Sequence, residues 1–183
     1  MLEVLALHTV TGSLSDEFKA GFRRHAAGVA IVVGETSDGP VGATVSSVAS
    51  VSAEPPLLSF SLARTSTVGP RLIGCDQLSV LVLAETQVDL AAAYADRRAE
   101  RFTAAQGWRR GEHGLVLPDA VATFRGRANR VVPAGGSWLV LLEVDRVELG
   151  SPAAPLVHHD RAYWTPAPLP DTRTQRPLRA VEG

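Results

Sequence analysis

Apolar residues in this chain come in short, β-branched runs closed off by glycine, proline and small polar residues, and that punctuation favours a sheet over a bundle of helices. Residues 29–34 are the first such run, Ser37-Asp38-Gly39-Pro40 supplies a turn, and residues 41–51 return, which predicts a hairpin. Pro55-Pro56 then interrupts pairing, and Leu58, Phe60 and Leu62 alternate with Ser59 and Ser61 as a half-buried strand does. Residues 78–83 predict a further strand, and residues 121–131 and 138–149 two long ones joined around Pro133-Ala134-Gly135-Gly136. Helices are few. Residues 13–26 read as an opening helix, with cap chemistry at Ser13, Ser15 and Asp16, Phe18 and Phe22 at helical spacing, and Gly28 beyond its end. Thr67 is expected to cap a short helix running to Cys75, and Thr86 a better one over residues 87–94. The architecture these elements imply is mainly β with flanking helices, a closed antiparallel barrel.

The chain has 183 residues, the size of one domain, and is read as a single unit over 1–183 with a core at about 16–165, a flexible N-terminal segment and a flexible Pro- and Arg-rich tail. A net charge of -1 with well-mixed signs argues against nucleic acid as a partner. Cys75 is the only cysteine, so no intrachain disulfide forms and a reducing, cytoplasmic compartment is expected, with the thiol a core filler rather than a nucleophile. Residues 1–10 carry Glu3 and His8 and lack a basic start, so they do not read as a signal peptide. Apolar runs such as 78–84 and 138–142 fall far short of the roughly 20 residues that cross a bilayer, and no membrane partner is expected.

Two segments carry chemistry. In residues 42–52 small side chains and hydroxyls occupy nearly every position, which suits either a solvent-facing strand or a flat ring system that must reach main-chain N–H groups. In Ala63-Arg64-Thr65-Ser66-Thr67, a cation and hydroxyls precede a helix start, which suits either a plain cap or phosphate oxygens. Residues 95–118 form a polar excursion with Arg97, Arg98, Arg101, Arg109 and Arg110, and with Phe102 and Trp108 as its aromatic members. His158 and His159 are adjacent and point to opposite faces of extended backbone, and no histidine shows ligand spacing, so no metal site is expected.

The order of these segments resembles the flavin reductase family, split-barrel flavoproteins that supply reduced FMN or FAD to partner monooxygenases. The resemblance spans about 16–165. It rests on Phe22-Arg23 before Ala27-Gly28-Val29, Asp38-Gly39 before Gly42 and Thr44-Val45-Ser46-Ser47, Ser52 with Pro55-Pro56, and Ser66-Thr67. Leu83-Ala84 with Gln87, Leu90 and Ala91, then Arg101-Phe102, and Pro155-Leu156 with Tyr163 complete it. It implies an FMN-binding split barrel, an antiparallel Greek-key-like barrel of six strands. It also implies a flavin held by Thr44, Val45, Ser46 and Ser47 along the ring, by Ala49, Ser50, Val51 and Ser52 near its pyrimidine edge or ribityl chain, and by Arg64, Ser66 and Thr67 at the phosphate, with Phe102 at the ring or its mouth. Implied with these are FMN or FAD as cofactor, NADH or NADPH as transient co-substrate, a homodimer, and a flavin-dependent monooxygenase as partner.

One stretch departs from the family. Its reductases commonly carry Gly-Asp-His ahead of the last long strand, the His being associated with nicotinamide, whereas this chain has Gly135-Gly136-Ser137. A hydroxyl supplies no titratable donor near neutral pH, which leaves Ser137 and His159 as candidate catalytic residues and the Arg-rich excursion as a candidate nicotinamide dock. The main expectation is an NAD(P)H:flavin oxidoreductase. The alternatives are a flavin-dependent enzyme acting directly on an organic substrate in a biosynthetic pathway, and a non-catalytic flavin-binding protein.

Overall fold

The computed structural model describes residues 12–169, so the N-terminal stretch and most of the tail lie outside the described residues. Helix α1 (Leu14–Arg23) leads into β1 (Ala27–Gly28), β2 (Ala30–Thr36), β3 (Gly39–Val45), β4 (Ala49–Ala53), β5 (Pro56–Ala63), α2 (Gly69–Ile73), β6 (Leu78–Val82) and α3 (Val88–Ala95). After it come β7 (Arg109–Gly111), β8 (Gly114–Val116), β9 (Ala122–Ala134), β10 (Ser137–Leu149), β11 (Val157–His159) and β12 (Ala162–Trp164). Among these described elements no helix is long and apolar enough to cross a membrane.

Seven strands make one antiparallel sheet in the order β3-β2-β6-β9-β10-β5-β4. Its two edges, β3 and β4, are successive parts of one segment parted only by Ser46-Ser47-Val48. Taken as a single bent strand they close the sheet on itself, so the six-stranded antiparallel barrel is present with one strand counted in two pieces. The return arm expected over 41–51 therefore ends at Val45, opposite Ala30, and Ala49 begins a new pairing with Ser59 of β5. At that seam the Ser61 N–H donates to Ser47 Oγ at 2.8 Å.

Burial follows from the strand period. Leu58, Phe60 and Leu62 turn inward on β5 and join Val32, Val80, Val140 and Leu142 inside the barrel. On β2 both faces are covered: Ala30 and Val32 point inward, while Ile31 and Val33 meet Leu81, Leu90 and Tyr94 beneath α3. That is why residues 29–34 are apolar without alternation.

The helices differ from expectation at their ends. Ser13 caps α1, its Oγ accepting from Asp16 N–H at 3.3 Å, but the helix stops at Arg23 because Ala27 and Gly28 are drawn into pairing with β11. Ser66 rather than Thr67 opens α2, accepting from the N–H groups of Val68 and Gly69 at 3.2 Å each. Thr86 makes no cap bond. A tight turn over Glu85–Gln87 precedes α3 instead, with Gln87 Oε1 accepting from Ala84 N–H at 2.9 Å. The excursion contains the β7–β8 hairpin, pinned to the barrel by Arg125, which is 2% exposed. The Arg125 guanidinium donates to Ser79 Oγ at 2.7 Å, to the carbonyls of His113 and Leu115 at 3.0 Å each, and to Glu148 at 3.2 Å.

Candidate functional site

A groove of about 850 Å³ opens where α1, the Ser46–Ala49 crossover and the β11–β12 hairpin meet. Each wall has a local cause. On α1 the i, i+4 pairs Phe18/Phe22 and Lys19/Arg23 fall on adjoining stripes, so one helical face delivers both an aromatic surface and a cationic one. The Phe18 and Phe22 rings lie 4.6 Å apart and Phe22 meets His25 edge-on at 6.0 Å. The floor is built of Ala26, Ala27, Gly28, Ser46, Ser47 and Ala49, with Val48 the one larger residue among them.

The third wall depends on pairing between distant parts of the chain. Ala27 lies opposite His158, and His158 opposite Tyr163, across a three-stranded sheet β1-β11-β12. His158 faces the groove, its ring edge-on to Tyr163 at 5.8 Å, and partial burial pushes the Tyr163 phenol above its usual range. The β11–β12 turn is tied to α1 by Asp160 N–H donating to the Arg23 carbonyl at 3.0 Å, which sets Arg161 on the rim.

The residues expected from sequence separate into three places. Ser46, Ser47 and Ala49 line the groove. Arg64, Ser66, Thr67 and Ser137 belong to the neighbouring end of β5 and β10, where Ser137 pairs with Ala63 and Arg64 N–H donates to the Gly136 carbonyl at 2.9 Å. The Arg64 guanidinium lies over the Trp138 ring at 4.8 Å. Ser47 links the two places: Ser61, to which it bonds, pairs with Leu139, two residues or roughly 7 Å along β10 from Ser137. Because Ser66 Oγ already occupies two N–H groups at the start of α2, Arg64 is the principal anion-attracting group at that end.

The remaining residues do not line the groove. Thr44 Oγ1 donates to the Ala91 carbonyl at 2.7 Å, anchoring α3 on β3, and Val45 is buried in the barrel. Ser50 and Val51 are exposed on the edge strand β4, and Ser52 Oγ is held in a turn by Glu54. Phe102, with φ of 60°, packs against Tyr94 at 5.2 Å and Trp108 at 5.3 Å. A Cβ on Gly42 would stand 2.8 Å from the Tyr94 ring and 3.1 Å from that of Phe102, so a bare residue is what lets this aromatic group close on β3. His159 is not on the groove; its ring meets Trp164 at 6.0 Å on the other face of β11. Cys75 is buried, and burial raises its thiol pKa, as suits an inert core residue.

Sequence reasoning missed Lys19, His25, His158 and Arg161 as groove residues and cited Arg23 only within a motif. Their one signal was the alternation of His158 and His159, which puts one imidazole on each face. In chemical terms the groove suits a flat, anionic ring system: small residues beneath, two phenylalanines beside, and Lys19, Arg23 and Arg161 against a single carboxylate, Asp160, at the rim.

Comparison with known proteins agrees with this geometry. Residues 22–166 match the family described as flavin reductase like domain. An NADH:FMN oxidoreductase of Rhodococcus qingshengii is 37% identical over 164 residues, covering 87% of this chain and 85% of that protein. The reductase component of a 4-hydroxyphenylacetate 3-monooxygenase from Thermus thermophilus is 29% identical over 150 residues, covering 82% and 95%. Among solved structures, a flavin reductase domain protein from Arthrobacter sp. FB24 superposes with a TM-score of 0.79 at 32% identity, covering 86% of this chain and 98% of the other.

Proposed function

We propose, for a chain that belongs to the flavin reductase-like domain family, that it oxidises NADH or NADPH and reduces FMN or FAD, which it then supplies to a partner monooxygenase. The observation that carries this reading is the coincidence of the family match with a groove floored by Ser46, Ser47 and Ala49. These residues fit a flavin. The small floor lets a planar ring approach main-chain donors, Phe18 and Phe22 offer ring surface along one side, and Arg64 supplies a charge-assisted donor to a phosphate at the adjoining end of β5. When bound, the flavin supplies the two-electron acceptor that no side chain of this protein can provide. The protein's own part is to hold two nucleotides in contact and to exclude solvent.

The chain is further proposed to act as one domain and to pair as an isologous homodimer. Leu14, Phe18, Phe22, Leu149 and Trp164 are all more than half exposed, a surface that favours association. Steady-state oxidation of NADH and NADPH with added FMN, FAD or riboflavin tests the activity. A purified protein that binds flavin yet turns over neither nicotinamide overturns it.

Ser137 favours a second reading, in which the bound flavin, reduced elsewhere, acts on an organic substrate. Ser137 begins β10 beside the Arg64–Trp138 stack, where the family's reductases commonly carry an imidazole. A large gain in nicotinamide turnover in Ser137→His supports this reading; an unchanged rate removes it.

A further inference from the structure

Arg23 and Arg161 converge on one rim of the groove, and neither guanidinium has a hydrogen bond or ion pair among the described residues. Lys19, the third cation there, is already paired with Asp16 at 3.6 Å. The two arginines are held together by main chain, since Asp160 N–H donates to the Arg23 carbonyl and Arg161 follows directly. Arg161 also sits in left-handed backbone, with φ of 65° after 45° at Asp160, in a two-residue hairpin turn that glycine would fill without strain. Two exposed guanidiniums without partners on one rim leave a positive site that a bound anion can neutralise.

Three of the five arginines in the polar excursion are engaged. In the excursion, Arg97 donates to the Thr65 carbonyl at 3.3 Å, Arg101 to the carbonyls of Gly42 and Asp96 at 3.2 and 2.8 Å, and Arg110 to Glu35 at 2.9 Å. They brace the barrel and are poorly placed to receive a nucleotide. Arg64 stands apart, on the far side of the Ser47–Ser61 bridge. The crossover floor thus has one cationic group at each end, an arrangement for two phosphate-bearing ligands.

We propose that Arg23 and Arg161 form a clamp for the diphosphate of the nicotinamide dinucleotide, separate from the group that holds the flavin phosphate. The clamp rests on the flavin reductase reading and names the part of the site that receives the second nucleotide. Two guanidiniums present paired N–H donors suited to successive phosphate oxygens, and Phe22 and His25 offer ring faces beside them.

The test uses the full chain and the variants Arg23→Gln, Arg161→Gly and Arg23→Lys. Calorimetric titration with NAD+ is expected to show affinity lowered about tenfold in each neutral variant and about a hundredfold in the double variant, with partial recovery in Arg23→Lys. The KM for NADH should rise in parallel and lose much of its dependence on ionic strength. The preference for FMN over riboflavin, read by fluorescence quenching, should persist. Arg161→Gly relieves the backbone strain, so its melting temperature should not fall even as NAD+ binding weakens. Unchanged NAD+ affinity in the double variant overturns the clamp while leaving the reductase reading intact. Loss of the FMN preference with NAD+ affinity retained also overturns it, by assigning the cations to the flavin. A wild-type protein that binds no NAD+ and oxidises no nicotinamide overturns the reductase reading and the clamp together.

Discussion

Arg125 shows how a single buried cation organises its surroundings. Its side chain holds Ser79 on β6, Glu148 on β10 and two carbonyls within the β7–β8 hairpin. Removing it strands those carbonyls and leaves Glu148 without its partner, so Arg125→Ala is expected to cost about 3 kcal/mol. For a chain of this length that corresponds to a melting temperature lower by about 6–12 °C in calorimetry. Tyr94 makes a different prediction. Burial makes its phenol harder to ionise than its ordinary value of 10.0, an effect partly opposed by the Phe102 N–H that it accepts at 3.0 Å. Above that value the unfolded chain releases this proton while the folded one keeps it, so its contribution is complete at lower pH and is lost as pH climbs beyond about 10. Urea titrations at about pH 8 and about pH 11 should show a smaller alkaline loss in Tyr94→Phe than in the wild type.

The β9–β10 hairpin is the longest pairing in the sheet, and its register shifts between Val144 and Arg146. Next to that shift, a Cβ on Gly126 would collide with the Glu143 carbonyl. Gly126→Ala is therefore expected to destabilise by about 2–3 kcal/mol, measured as a lower urea midpoint with the slope retained. This hairpin was legible in the sequence because its strands are long and its turn is marked by Gly135 and Gly136. The end of β3 was not. Ser46, Ser47 and Val48 read as strand by local pattern, and the break arises only because the barrel closes there and Ser47 turns to bridge Ser61. The same limit applied to the site. Ser46, Ser47 and Ala49 could be recognised within one segment, but Arg23 and His158 meet through a β1–β11 pairing only two residues long, too short to leave a periodic trace.

Association and ligand binding act on the fold as a unit. If the exposed Leu14, Phe18 and Phe22 and the other apolar surface residues are covered by a second copy, sedimentation equilibrium will report twice the chain mass and the melting temperature will rise with protein concentration. FMN at a hundred times its dissociation constant should add about 2.7 kcal/mol to the stability of the state that binds it. That corresponds to roughly 5–11 °C in the melting temperature, and the shift should be much smaller in a protein lacking the β11–β12 hairpin. The hairpin's position in the chain also orders events in time. All seven strands of the main sheet are complete by Leu149, whereas the groove's third wall begins only at Val157. During synthesis, then, the barrel can close on the emerging chain while its groove still has only two of its three walls.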